Sequence, residues 1–243
     1  MVANNKWSNY VDVDEKLFYT KQLKRKVKYP ADVPPPRDYP QSKSNVPHTM
    51  FLTAVALPRS RYKFNGRVGI WRVAKEQLAI RSSKHHQAGD VYSVDTTMNC
   101  ALFRKLMLHS LFPAIRRKMR FAAVVTVQVD GASSHTGKNT LSILNRMGRR
   151  KVQKGPLIKV IKQPAQSPDM NVNDILFYRS ISTRVRAAQR GAKIYDKEGL
   201  NENLIRQWRR FPSSILVKGF ELKTKLLKLI RDCKGGNDYI LPH

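Results

Sequence analysis

Asp12 and Asp14 stand two apart in VDVDEKLFYT, residues 11–20, a run whose apolar alternation reads as a strand. Side chains two apart on a strand share a face, so both carboxylates go to one side while Val11 and Val13 go to the other. Charge inside an apolar strand is costly unless it is paired, hydrogen-bonded or bound to a metal. Two more acids have comparable settings. Asp130 closes the strand-like run that begins at Ala122, and Asp174 lies in QPAQSPDMNVNDILFY at the start of a helix. If the two strands are neighbours and the helix packs beside them, Asp14, Asp130 and Asp174 meet at one edge of a sheet. Hard oxygen ligands in such a cluster suit Mg²⁺ or Mn²⁺. A pair of such ions can activate a water or a 3′-hydroxyl and stabilise the leaving oxygen in phosphodiester chemistry. Each acid alone also has a plainer role. Asp14 could be a satisfied strand-end acid, and Asp130-Gly131 an ordinary turn. Asp174 could be an N3 acid favouring the dipole of a helix capped by Asn171.

The elements that must carry these acids can be outlined from periodicity. Residues 8–21 form a first strand, 50–57 a second and 66–73 a third, with Asn65-Gly66 reading as a hairpin turn. Residues 30–47, rich in Pro, Ser and Asp, exclude helix and read as a surface loop, and residues 81–90 as a polar loop. Asp95 or Thr96 can cap a helix running to about Ser110, before Pro113 and a basic cluster at 116–120. Residues 122–129 are the most strand-like run, followed by a short helix at 141–147 and a strand at 157–161. Beyond Gln163 the period is helical. Phe177, Ile181, Val185 and Ala188 make one stripe; Leu200, Leu204, Trp208 and Phe211 a second; Leu216, Phe220, Leu227 and Ile230 a third, closed by Gly235-Gly236. The pattern predicts a mixed α/β sheet with helices packed on it.

Bulk composition narrows the class. A chain of 243 residues with 41% hydrophobic residues is globular and long enough for a sizeable core. Its apolar runs are too short to span a membrane, and its polar opening residues are no signal peptide. Two distant cysteines, Cys100 and Cys233, favour neither zinc nor a disulfide framework. Lys and Arg number 46 against 17 acids, a formal net charge of +29, which points to a polyanionic partner, nucleic acid first. The basic runs at 21–28, 149–154 and 206–210, with Lys24, Arg25, Lys26, Arg149, Arg150, Lys151, Arg209 and Arg210, would line a DNA path. Each could instead be a solvated face, and basic clusters double as nuclear-import signals.

VDVDEKLFY resembles the VHVDEKWFY block of mariner-like transposases, particularly the plant and oomycete-type branch. The likeness continues in order through MFLTAVALPR, FNGRVGIW, VQVDGASSH, QPAQSPDMNVNDILFYRSI and GGNDYILPH, from about Trp7 to His243. It implies an RNase H-like fold over residues 1–243, a mixed β-sheet flanked by helices with additional C-terminal helices. It also implies a DDE/DDD active site in which Asp14, Asp130 and Asp174 match the metal-binding carboxylates of a two-metal Mg²⁺ or Mn²⁺ centre. The activity implied is cleavage of DNA at transposon ends and strand transfer into a target, by a homodimer working in the nucleus. His135 and Lys16 would then support the acids or touch DNA. Several positions depart from the family pattern. Gly131 replaces the usual asparagine, Leu17 a tryptophan, and Asp12 a common histidine. The stretch between Asp130 and Asp174 is longer than usual, with an insertion expected around 149–154. The chain opens close to the first catalytic strand, so the family's N-terminal helix-turn-helix modules are expected to be absent. A decayed or truncated transposase that only binds nucleic acid is the rival reading. A basic ribosomal or chromatin protein would explain the charge but not the ordered aspartates.

Overall fold

A computed structural model describes residues 7–21, 46–83, 87–137, 139–150 and 155–235. Strand β1 (Tyr10–Tyr19) pairs antiparallel with β2 (His48–Ala56), which pairs antiparallel with β3 (Arg67–Arg72). After β4 (Ala74–Leu78), β5 (Val91–Asp95) and a helical stretch, β6 (Val124–Val129) pairs parallel with β1, and β7 (Leu157–Lys162) parallel with β6. The five-stranded sheet therefore has the order β3-β2-β1-β6-β7, with β1 at its centre. This is the expected mixed sheet, and the helices cover both of its faces.

Alternation along β1 sorts the two layers. Val11 and Val13 face a core built with α1 (Cys100–Leu106), α2 (Phe112–Lys118) and α4 (Thr140–Gly148), around Phe103, Phe112, Ile115 and Leu144. On the opposite face Phe18 and Phe51 pack with α5 (Tyr178–Ala192), α6 (Lys197–Arg209) and α7 (Ser213–Asp232). The aromatic anchors Phe103, Phe112, Phe177, Phe211 and Phe220 are fully buried, each stabilising the fold by about 1.5–3 kcal/mol. Asp12 and Asp14 share the C-terminal-helix face, as the period of two requires.

Several local expectations change. Asn65-Gly66 makes no tight hairpin. A 3₁₀ turn (Ser60–Tyr62) and an Arg59–Phe64 bridge fill the connection, and Gly66, at φ +81°, serves its exit. β4 and β5 form a separate two-stranded sheet flanking the 81–90 loop. They escape a periodicity reading because most of their residues are exposed and carry no apolar alternation. Asn99, not Asp95 or Thr96, caps α1, its side chain accepting from the Leu102 amide at 2.9 Å. Asp95 instead pairs with Arg72 and Lys197, at 2.7 and 2.6 Å. The helix also continues past Pro113. The preceding turns, Met107–Leu111, widen to π spacing and so absorb the amide that proline lacks, placing Arg116 and Arg117 on α2. Among the described residues, no helix is long and apolar enough to cross a membrane.

Candidate active site

β1 and β6 run parallel with Asp12 level with Gln128. Two residues further along, β1 carries Asp14, and Asp130 lies one residue past the end of β6. The third acid arrives on a turn fastened to the same strands. Gln128 Nε2 donates to the Met170 carbonyl at 2.6 Å and to Gln163 Oε1 at 3.1 Å. Asn171 Nδ2 donates to the Val13 carbonyl, and Asn173 Nδ2 to the Asp12 carbonyl, at 3.2 and 3.1 Å. Asn171 Oδ1 accepts from the Asn173 amide in the manner of an N-cap. Asp174 thus stands in a π-wound first turn, Asn173–Phe177, that runs into α5.

Asp14 is buried, and the Asp174 carboxyl lies near enough for its charge to act on it. Burial, then the negative charges of Asp174, Glu15 and Asp130, push the Asp14 pKa up to about 8, although the Glu15 amide donates to it at 2.8 Å. Asp174 is also raised. Burial and the charges of Asp130 and Asp169 outweigh the lowering by the Asp14 side chain and the nearby Lys16 ammonium. Lys16, in addition to that charge, lies 5.1 Å from the Tyr178 ring centroid.

Asp130 is oriented differently. Its Oδ1 receives both the Ala132 amide, at 2.9 Å, and His135 Nδ1. Burial would raise this acid, but the hydrogen bond from His135, the Ala132 amide and the imidazolium charge leave it below the usual carboxylate range. His135, on the short helical turn α3 (Ser133–Thr136), is 1% exposed and stacked on Phe103. Its Nε2 meets Glu15 Oε1 at 2.9 Å. Burial opposes its charge, yet the hydrogen bonds to Asp130 and Glu15 and their charges raise its pKa to about 9. His135 is thus enclosed between two acids and bonded to both.

Among the described residues, no three His, Cys, Asp or Glu side chains are arranged to hold a metal ion. The donor chemistry nonetheless fits a hard divalent cation. Two acids lie near enough for charge to act between them, and a third lies near enough for its charge to raise both. The His135 bond to Asp130 Oδ1 is the kind of outer contact that orients a ligating carboxylate.

Two participants lie outside the set that the sequence singles out. Glu15 faces the Val11–Val13 side, and strand alternation alone marks it as an acid on a core face. Lys223 pairs with Asp12, both fully buried. Its signal is a lysine inside the buried stripe Leu216, Gly219, Phe220, Lys223, Leu226 of α7. Asp12 accordingly neither points to solvent nor adds to the charges acting on Asp14.

The basic residues scatter. Arg149 and Arg150 follow α4, beside the start of β7 and away from the strand ends that carry the acids. Arg209 and Arg210 help line a cleft of ≈ 860 Å³ along the β3 edge, with Arg206, Ile70 and Trp71. Lys24, Arg25, Lys26 and Lys151, the Pro-rich stretch through residue 45 and the 151–154 part of the expected insertion lie outside the described residues.

No family model matches the chain, and no curated protein matches it in sequence. Solved structures do share its fold. The Mos1 mariner paired end complex with Mn superposes with a TM-score of 0.62 at 17% identity, covering 96% of this chain and 57% of that one. The Mos1 Strand Transfer Complex gives 0.62 at 16%, covering 97% and 57%. The paired end complex with Mg gives 0.60 at 16%, covering 95% and 57%. The present chain therefore spans 57% of the length of each solved chain. The likeness establishes the RNase H-like α/β fold.

Proposed function

We propose that this chain is the catalytic domain of a mariner-like transposase, cutting DNA phosphodiesters at transposon ends and joining them to a target. One observation carries this reading. Asp14 on the central strand, Asp174 on a turn fastened to that strand, and Asp130 just past the end of the neighbouring strand come near enough for their charges to act on one another. The collinear sequence blocks and the fold shared with Mos1 complexes support it. Asp14 and Asp174 would hold Mg²⁺ or Mn²⁺, joined by Asp130. The bound metal would supply an activated water or 3′-hydroxyl and stabilise the leaving oxygen. The chain's own part is to bring acids from two strands and a helix together, and to orient Asp130 through His135 and Glu15. A net charge of +29 suits a DNA partner. A homodimer acting in the nucleus belongs to the same proposal.

The decisive experiment is cleavage of DNA by the purified chain with Mn²⁺ or Mg²⁺. Nicking that Asp14→Ala and Asp174→Ala each abolish is expected; nicking that survives both overturns the reading. A second reading, a decayed transposase that binds DNA without cutting it, is motivated by Gly131, which stands where the family pattern has an asparagine. Salt-sensitive DNA binding without metal-dependent nicking would select it.

A further inference from the structure

We propose that Lys223 is a positioning residue for the candidate metal site, acting through Asp12 to set the register between Asp14 and Asp174; this rests on the transposase reading above. Lys223 Nζ reaches both carboxylate oxygens of Asp12, at 2.7 and 2.8 Å, and neither side chain is exposed. The same carboxylate accepts the Val172 amide at 2.9 Å. Asp12 precedes Asp14 by two residues on β1, and Val172 precedes Asp174 by two on the turn. One carboxylate therefore ties together the carriers of both acids.

The surroundings commit α7 to this task. Gly219, one turn before Lys223, has no room for a Cβ, which would lie 2.8 Å from Val172 Cγ1, so α7 approaches the turn directly. The ammonium also sits 4.2 Å from the centroid of the Trp7 ring, an electron-rich face that favours the cation. Without Lys223, Asp12 would be a buried charge with no counter-ion, and the turn would relax to relieve it. With Lys223, the Val172 amide bonds to a paired, fixed carboxylate, and such charge-assisted bonds are the strong ones. Lys223 touches no reacting group.

The test uses the full chain, with calorimetric Mn²⁺ titration and amide hydrogen exchange as readouts. Lys223→Met is expected to weaken Mn²⁺ binding by about 10–100-fold, the usual effect of losing an outer contact. It should also speed exchange at the amides of residues 172–174 by about tenfold or more relative to the rest of α5. Asp12→Asn combined with Lys223→Met should restore both, because an asparagine oxygen still accepts the Val172 amide without a charge. This double variant keeps the test open should the single one fail to fold. Thr183→Val removes an exposed hydroxyl bond within α5, to the Arg179 carbonyl at 3.0 Å, and is expected to move neither readout. Wild-type affinity and exchange in Lys223→Met, or equal changes in Thr183→Val, would overturn the proposal. If the wild-type chain binds no Mn²⁺, the metal reading falls, and exchange at residues 172–174 decides the positioning role by itself.

Discussion

Asp14, on the central strand, and Asp174, on the first turn of a helix, lie near enough for the charge of Asp174 to raise the Asp14 pKa. Carboxylates with no counter-charge between them must separate, bind a proton or bind a cation. Tertiary structure forbids the first, since Asn171, Asn173 and Asp12 fasten the turn to β1.

The proton has a consequence for stability. Folding raises the Asp14 pKa to about 8, so the native state holds a proton that the unfolded chain releases near the ordinary carboxylate value. Stability from this group is complete below pH ~4 and is lost as pH rises toward 8, with a slope of at most about 1.4 kcal/mol per unit. Asp14→Asn is expected to flatten that decline in urea unfolding from pH 5 to 8. Saturating Mn²⁺ should flatten it in the wild type, and EDTA should bring it back.

His135 should behave as a structural cation. His135→Ala is expected to cost about 3 kcal/mol at pH 7, the low end for a broken buried pair, because the Asp130 side chain is 39% exposed. The folded pKa of about 9 lies above the usual histidine value, so this stabilisation is complete below pH ~6.5 and lost as pH rises through 9. Unfolding curves at pH 7 and pH 10 should therefore show a smaller penalty at the higher pH. An equal penalty at both would mean that packing against Phe103, and not charge, is what His135 supplies.

Gly131 is not demanded by its backbone. It has no positive φ, and an added Cβ would meet only the far end of the flexible Lys162 side chain, Cε at 3.0 Å and Nζ at 3.6 Å. Gly131→Asn should change stability by less than about 0.5 kcal/mol. DNA nicking by this variant should equal or exceed that of the wild type; a collapse of the fold would show that the glycine is structurally required.

The period of two in residues 11–14 was enough to place Asp12 and Asp14 on one face, and the helical stripes at Ile181, Leu204 and Phe220 were enough to announce the terminal layer. Both follow from local geometry, because a side chain's direction is set by its own backbone. The weakly apolar β4 and β5, and a helix running through Pro113, were not legible, since exposure and π winding erase the expected period. The site followed the same division. Sequence identified Asp14, Asp130 and Asp174, but nothing local could say that His135 lies between Glu15 and Asp130. Nor could it say that Lys223, 211 residues from Asp12, supplies the counter-charge for that acid. Residue type and period are local properties, whereas the partner that a buried charge requires is chosen only when distant elements pack together.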